Sequence, residues 1–304
     1  MFTIAIHGGA GTITPASMTP GKEAAYKEAL QAALDAGFRI LEHGGSALDA
    51  VTAAVVSLED CPLFNAGRGS VFNHEGRHEM DAAIMRGDTL QAGAVAGVSG
   101  VKNPVQLSRR IMEASEHVLL SGEGAALFAR KEGLVFENDD YFHDDFRYGQ
   151  WQQALKEDVV QLDHSERKFG TVGAVALDSH GNLAAATSTG GMTNKRFGRI
   201  GDSPIIGAGT YANNATCAVS CTGHGELFIR TVVAHEVSSL MKYKGLALAD
   251  AANEVVMDQL VKIGGEGGLV AVDTKGNISM PFNSEGMYRG CRKSSGENIV
   301  AIYR

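Results

Sequence analysis

Two stretches of the chain share one pattern, and that pattern restricts the fold more than any other feature. They are "TVGAVALDSHGNLAAATSTGG" and "GGLVAVDTKGNISMPF". In each, an alternating apolar run enters an Asp-x-x-Gly-Asn turn (Asp178 to Asn182, Asp273 to Asn277) and leaves in a second alternating run. Period-two alternation around such turn chemistry predicts a β-hairpin. The shared turn is local chemistry rather than a repeat architecture. "EMDAAIMRGDTLQAGAVAGVSG" predicts a third hairpin with its turn at Arg86-Gly87-Asp88, and "FTIAIHGGAGT", "HVLLSG" and "ATCAVSCTG" read as single strands. Helices come in consecutive pairs. "GKEAAYKEALQAALDAGFRILEHG" carries a stripe of Ala25, Ala29, Ala32, Ala33, Ala36 and Ile40, and Ser46 with Asp49 caps "SALDAVTAAVVSLED". Pro104 opens "NPVQLSRRIMEAS", "GEGAALFARKEG" follows, and later come "GELFIRTVVAHEVSSLMKY" and "LALADAANEVVMDQL". Strands in hairpins and helices in pairs predict an α+β fold of antiparallel sheets covered by helices, without the βαβα alternation of a parallel sheet.

Composition removes several function classes. The net charge is −8 with no basic run, which argues against nucleic acid as a partner. The first residues, "MFTIAIHGGAG", read straight into a strand with no basic segment before a long apolar one, so no signal peptide is expected. No uncharged apolar run reaches the roughly 18 residues of a membrane helix. Cys61, Cys217, Cys221 and Cys291 form no CxxC pair and read as reduced thiols of a cytoplasmic protein. His235-Glu236 opens like a zinc-protease motif, but Ser239 stands where the second histidine belongs. "GGAGT" follows a strand without completing a nucleotide-binding fingerprint, and no Gly-x-Ser-x-Gly elbow occurs.

Residues 137–170 form a charged segment that holds the only Trp and reads as an exposed, partly helical connector. It leads to Gly170-Thr171, and Thr187, Ser188 and Thr189 crowd the following strand. A cut between Gly170 and Thr171 would make Thr171 a chain end. Its α-amine, with a pKa of about 7.7–8.0, would sit near the pH where a general base works best. One residue would then supply both nucleophile and base. The β-methyl narrows χ1 and holds Oγ in line. Gly170 would permit the backbone strain that attack on its own carbonyl demands. Threonine is also a common strand residue, so composition leaves the plainer reading open.

The order of motifs decides between them. "IHGGAGT", "SALDAVTAAVVSLEDCPLFNAGRGSVF", "MDAAIMRG", "GTVGAVALD", "TSTGG", "GRIGDSP", "GAGTYANN" and "SCTGHGE" together resemble the plant-type L-asparaginase and isoaspartyl aminopeptidase family of N-terminal-nucleophile hydrolases. The likeness runs through nearly the whole chain in the same order; the connector and the residues after Gly290 match least. It implies a four-layer αββα sandwich, one unit over residues 1–304, self-cleaved into 1–170 and 171–304, and a dimer of such αβ pairs.

Site roles are implied by the resemblance in the same way. Thr171 would be the nucleophile, with Thr189 tuning it and Asn65 supporting it. Arg199 would grip the substrate α-carboxylate, a pairing that suits a guanidinium fork. Asp202 and the Gly225 carbonyl would hold its α-ammonium. Thr222 and the Gly223 N–H would form the oxyanion hole. Each has a bland counterpart: Arg199 and Asp202 as a surface ion pair, Thr222 as a helix cap, and His224 as a neighbour of the site only. The loop from Leu58 to Arg68 resembles one that wraps a structural sodium with the backbone of Leu58, Glu59, Cys61, Phe64, Ala66 and Arg68. Arg68 departs from the apolar residue expected there. No cofactor is implied for catalysis. Three rivals remain: a glycosylasparaginase acting on sugar-linked asparagine, a threonine endopeptidase, and a non-enzymatic binding protein that never cleaves. The missing signal peptide weighs against the first, and the intact "GDSP" clamp against the second.

Overall fold

The computed structural model describes residues 1–160 and 170–304. Its first part runs β1 (Thr3–Gly11), α1 (Pro20–Glu42), α2 (Ala47–Glu59), β2 (Met80–Arg86), β3 (Ala92–Val98), α3 (Pro104–Ala114), β4 (Leu119–Ser121), α4 (Gly122–Lys131), α5 (Asp139–Phe142) and α6 (Asp145–Lys156). The second part opens with strands β5 (Val172–Leu177), β6 (Leu183–Thr189), β7 (Thr210–Ala212) and β8 (Cys217–Gly223). Helices α7 (Gly225–Thr231), α8 (Val233–Lys244), α9 (Leu248–Asn253) and α10 (Leu260–Lys262) follow. The chain closes with β9 (Gly267–Asp273), β10 (Ile278–Ser279), β11 (Gly286–Lys293) and β12 (Asn298–Tyr303).

The strands form an eight-stranded sheet in the order β12-β11-β1-β5-β6-β2-β3-β4 and a four-stranded sheet in the order β10-β9-β8-β7. The three predicted hairpins are β2–β3, β5–β6 and β9–β10, all antiparallel. One pairing departs from expectation: β3 and β4 run parallel, joined by a crossover through α3, so the large sheet is mixed. β11 and β12, which the sequence reading left unassigned, complete the sheet beside β1.

Alternation sorts the side chains. In β5, Ala174 and Ala176 face the helical side with Val51 and Val55 of α2, while Val175 and Leu177 face the second sheet. In β8, Cys217, Val219 and Cys221 pack beneath α8 and α9, and Ala218 faces the large sheet beside Val270 and Val272. The space between the sheets is lined largely by Ala and Val, which lets the sheets approach closely.

Three helical expectations are corrected. The buried face of α1 is Tyr26, Leu30, Ala33, Leu34, Gly37, Phe38 and Leu41, so of the expected stripe Ala33 is buried and Ala29 and Ile40 pack against the core from its edge. Larger side chains remove more apolar area from water, and they set the helix rotation. The helix expected from Gly225 breaks at Val232, which adopts φ 50 and ψ 47. Beyond the break, the N–H groups of Ala234 and His235 bond to the carbonyls of Ala208 and Gly207. The helix expected from Leu248 carries a π-turn over Glu254–Gln259.

The connector is partly helical, as α5 and α6, but it is not simply exposed. Phe142 is buried in the cluster around Val98, Leu107 and Ile111, and Trp151 stacks on Phe72 with ring centroids 5.6 Å apart. Asn194 Nδ2 donates to the carbonyls of Ala154 and Val159, holding the end of α6. The last stretch of the expected connector, 161–169, lies outside the described residues.

Candidate active site

Thr171 directly precedes β5, and alternation turns it, Gly173, Thr187 and Thr189 toward the space between the sheets. That placement answers why hydroxyls crowd these strands. The Thr171 hydroxyl donates to Thr189 Oγ1 at 3.2 Å, and Thr189 in turn donates to the Gly170 carbonyl at 2.8 Å. Thr189 also accepts from the Gly191 N–H at 3.0 Å, which fixes its lone pairs and leaves its proton for Gly170. The Thr171 side chain and the carbonyl before it therefore share one hydroxyl. Thr171 is buried, with 8% of its surface exposed.

Asn65 braces the same bond. Its Nδ2 donates to the Gly191 carbonyl at 2.8 Å, its Oδ1 accepts from Val71 N–H at 3.0 Å, and its own carbonyl accepts from Gly190 N–H. A Cβ on residue 170 would overlap Asn65 Cβ. Glycine is thus required before the bond for want of room. Gly170 is not among the residues with positive φ, so the backbone strain expected from sequence is not of the left-handed kind.

A cluster of charged side chains lies near these threonines. Asp202 is fully buried, its Oδ2 has no hydrogen-bond partner, and burial pushes its carboxyl up to about 7 against the opposing pull of Arg199. A Cβ on Gly225 would meet Arg199 Nη2 at 2.8 Å and Asp202 Oδ1 at 3.0 Å, so the three lie together. Arg199 does not pair with Asp202. Its fork closes bidentately on Glu226, with both bonds at 2.8 Å, and His224 lies 3.2 Å from the same carboxylate. Asp81, register partner of Thr189, is also buried with a carboxyl pushed up by burial; Lys195 and Arg199 oppose the shift. Lys195 is buried too, its Nζ donating to the Glu79 carbonyl at 2.7 Å.

Thr222 is fully buried and caps no helix: α7 has no side-chain cap, and Thr222 Oγ1 accepts from the Ala10 N–H at 3.3 Å. Gly223 ends β8 opposite Gly267. Sequence reading missed Glu226, Lys195, Asp81 and His7. Buried Lys and Asp are recognisable only once burial is known. His7 sits in a motif that had been weighed for its glycines alone.

In the loop after α2, the carbonyls of Leu58, Phe64 and Ala66 each accept one backbone N–H, and that of Cys61 accepts one at 3.5 Å. The Arg68 guanidinium stands over the Tyr141 ring, 5.4 Å from its centroid. Among the described residues no group of three or more His, Cys, Asp or Glu side chains is arranged to hold a metal, and no helix is long and apolar enough to cross a membrane.

Clustered buried hydroxyls near a carboxylate oxygen without a hydrogen-bond partner suit a hydrolase. Comparison with known proteins agrees with that class. The asparaginase family matches residues 1–302, and the chain belongs to that family. It is 54% identical over 307 residues to the isoaspartyl peptidase of Escherichia coli strain K12, covering 99% of this chain and 96% of that one. It is 45% identical over 302 residues to a plant-type L-asparaginase of Pyrococcus abyssi, covering 94% and 95% of the two chains. It is 43% identical over 281 residues to an isoaspartyl peptidase/L-asparaginase of Danio rerio, covering 92% and 89%.

Proposed function

We propose that this chain is a self-processing threonine hydrolase that releases L-aspartate from β-aspartyl (isoaspartyl) dipeptides and from L-asparagine. The observation that carries the proposal is the single Thr189 hydroxyl touching both Thr171 Oγ1 and the Gly170 carbonyl. As Thr171 Oγ bonds to the Gly170 carbonyl carbon, its proton passes to Thr189 and the proton of Thr189 passes to the carbonyl oxygen. The C–N bond then breaks as the proton on that oxygen passes to the nitrogen, which leaves as the free α-amine of Thr171, and an ester links Gly170 to Thr171 Oγ. Water hydrolyses that ester, leaving residues 1–170 and 171–304.

The freed Thr171 amine next takes the proton of its own hydroxyl as Oγ attacks the substrate's side-chain carbonyl. Thr222 and the Gly223 N–H stabilise the oxyanion; such a donor contributes about 2.7–4 kcal/mol in the transition state. Asp202 and the Gly225 carbonyl hold the α-ammonium. Arg199 holds the α-carboxylate, turning part of its fork from Glu226 to the substrate. The leaving nitrogen departs as ammonia or an amino acid, and water releases aspartate from Thr171.

The layering belongs to the same proposal: α1 to α3 on one face, the two sheets between, and α8 with α9 on the other form a four-layer αββα sandwich. A structural sodium would use the second lone pairs of the Leu58, Cys61, Phe64 and Ala66 carbonyls, together with Glu59 and Arg68. The turning of Arg68 onto Tyr141 carries its charge to a ring face, which favours that use. The four free cysteines support a cytoplasmic location, and a dimer of αβ pairs is the proposed assembly.

The test is direct. Purified protein on a denaturing gel should resolve into two bands, the smaller reading Thr-Val-Gly-Ala from its N-terminus. Thr171→Ala should give one folded, uncut and inactive chain. Matured enzyme assayed on a β-aspartyl dipeptide, on asparagine and on glycosylated asparagine should turn over the first two. A single band with no turnover would instead mark a binding protein.

A further inference from the structure

His7 is fully buried on β1, between the two sheets among buried hydroxyls, and lies beyond every role described so far. Its Nδ1 is 3.0 Å from the Thr171 carbonyl, and its Nε2 is 2.9 Å from Ser220 Oγ on the other sheet. A carbonyl only accepts, so Nδ1 carries the proton and Nε2 must accept from Ser220. Burial pushes the imidazole pKa down to about 3, so the ring stays neutral and keeps one donor and one acceptor. Ser220 Oγ lies 2.6 Å from Thr187 Oγ1, and Thr210 donates to Thr187 at 2.7 Å. The alternative partners of these hydroxyls are carbonyls at 3.1 to 3.3 Å, so the shorter bonds set one direction: Thr210 to Thr187 to Ser220 to His7 to the Thr171 carbonyl. The far end abuts the clamp, because a Cβ on Gly209 would meet the Asp202 carbonyl at 2.6 Å.

We infer that His7 is a positioning residue: through this line of hydrogen bonds across the two sheets it holds the Thr171 backbone and ties it to Thr210, whose neighbour Gly209 packs on the Asp202 carbonyl. The role rests on the proposed threonine chemistry. Once residue 170 is cut away, Thr171 is a chain end, and chain ends fray unless they are tied down. Its carbonyl bond to His7 then opposes rotation of the residue that carries both nucleophile and base. Gly173, register partner of His7, makes room for the line: a Cβ there would overlap both Ser220 Oγ and His7 Nε2. Glycine inside a strand is costly without such a close approach.

Thr187→Val removes one link at nearly constant shape, Thr187→Ser keeps the hydroxyl, and Ser220→Ala frees the imidazole. For Thr187→Val and Ser220→Ala, kcat on asparagine should fall about tenfold to a hundredfold, since misplacement by an ångström costs about that much. KM should stay within about twofold, and Thr187→Ser should restore most of the rate. A readout apart from turnover is 15N NMR of histidine-labelled protein. Wild type should show His7 protonated at Nδ1, and Ser220→Ala should shift the Nε2 resonance, as a lost donor does, while Nδ1 keeps its proton on the Thr171 carbonyl. If wild type turns over neither substrate, the functional proposal fails; the Nδ1 tautomer and slower self-cleavage in Thr187→Val would still support the positioning role. Protonation at Nε2 in wild type, or Thr187→Val with unchanged kcat and unchanged cleavage, would overturn it.

Discussion

At the scale of single residues, the site depends on which atoms are left without room or without a partner. Gly170 has no room. Gly170→Ala should fold yet remain uncut, because its Cβ would push against Asn65 and shift the carbonyl away from Thr189. A denaturing gel after prolonged incubation checks this, and cleavage at the ordinary rate would remove the steric role. Asp202 has one carboxylate oxygen, Oδ2, without a hydrogen-bond partner. Its carboxyl is raised to about 7. Below that pH it is neutral and cannot attract an ammonium group; above it the charge is present. KM for asparagine should therefore climb as pH falls through 7, by about tenfold per unit. Asp202→Asn should have a high KM without that slope. A flat KM profile in wild-type kinetics between pH 5.5 and 8 would show that another group holds the ammonium.

Among the elements, hairpins were legible and helix breaks were not. The Asp-x-x-Gly-Asn turns closed where expected: in both, the first Asp Oδ1 accepts the N–H groups two and four residues on. These turns contain their whole cause within five residues. The break at Val232 has its cause elsewhere, in the carbonyls of Gly207 and Ala208 that capture the first N–H groups of α8. A β-branched residue in a left-handed conformation is strained. Val232→Gly should therefore raise stability by a few tenths to about 1 kcal/mol after the entropy cost of glycine is subtracted. Urea unfolding would measure it, and a loss of stability would mean that the Val232 side chain contributes more by packing than its backbone costs. β11 and β12 escaped notice for a related reason. "MYRGCRK" alternates imperfectly around Gly290, and its register with β1 shifts between His7 and Gly9.

Across the whole molecule, the order of the large sheet bears on the proposed cut at Gly170–Thr171. β12 and β11 come from after residue 170, β1 from before it, β5 and β6 from after, and β2, β3 and β4 from before. Each piece is a neighbour of the other along three strand pairings: β11 with β1, β1 with β5, and β6 with β2. Breaking one peptide bond removes none of those hydrogen bonds. The two pieces should co-elute on size-exclusion chromatography and unfold in one transition. Separation without denaturant would contradict the interleaving.

From residue types and spacing came the hairpins and the paired helices, and from the resemblance to a family came the membership of Thr171, Thr189, Arg199, Asp202, Thr222 and Asn65 in one set of motifs, since such patterns are local or follow chain order. The partners of those residues were decided only by the folded chain. It turned Arg199 onto Glu226 rather than Asp202, left Asp202 Oδ2 without a partner, and set His7 against Thr171 across 164 positions of sequence. Hydrogen-bond direction and burial depend on which strands become neighbours, and no short window of sequence contains that information.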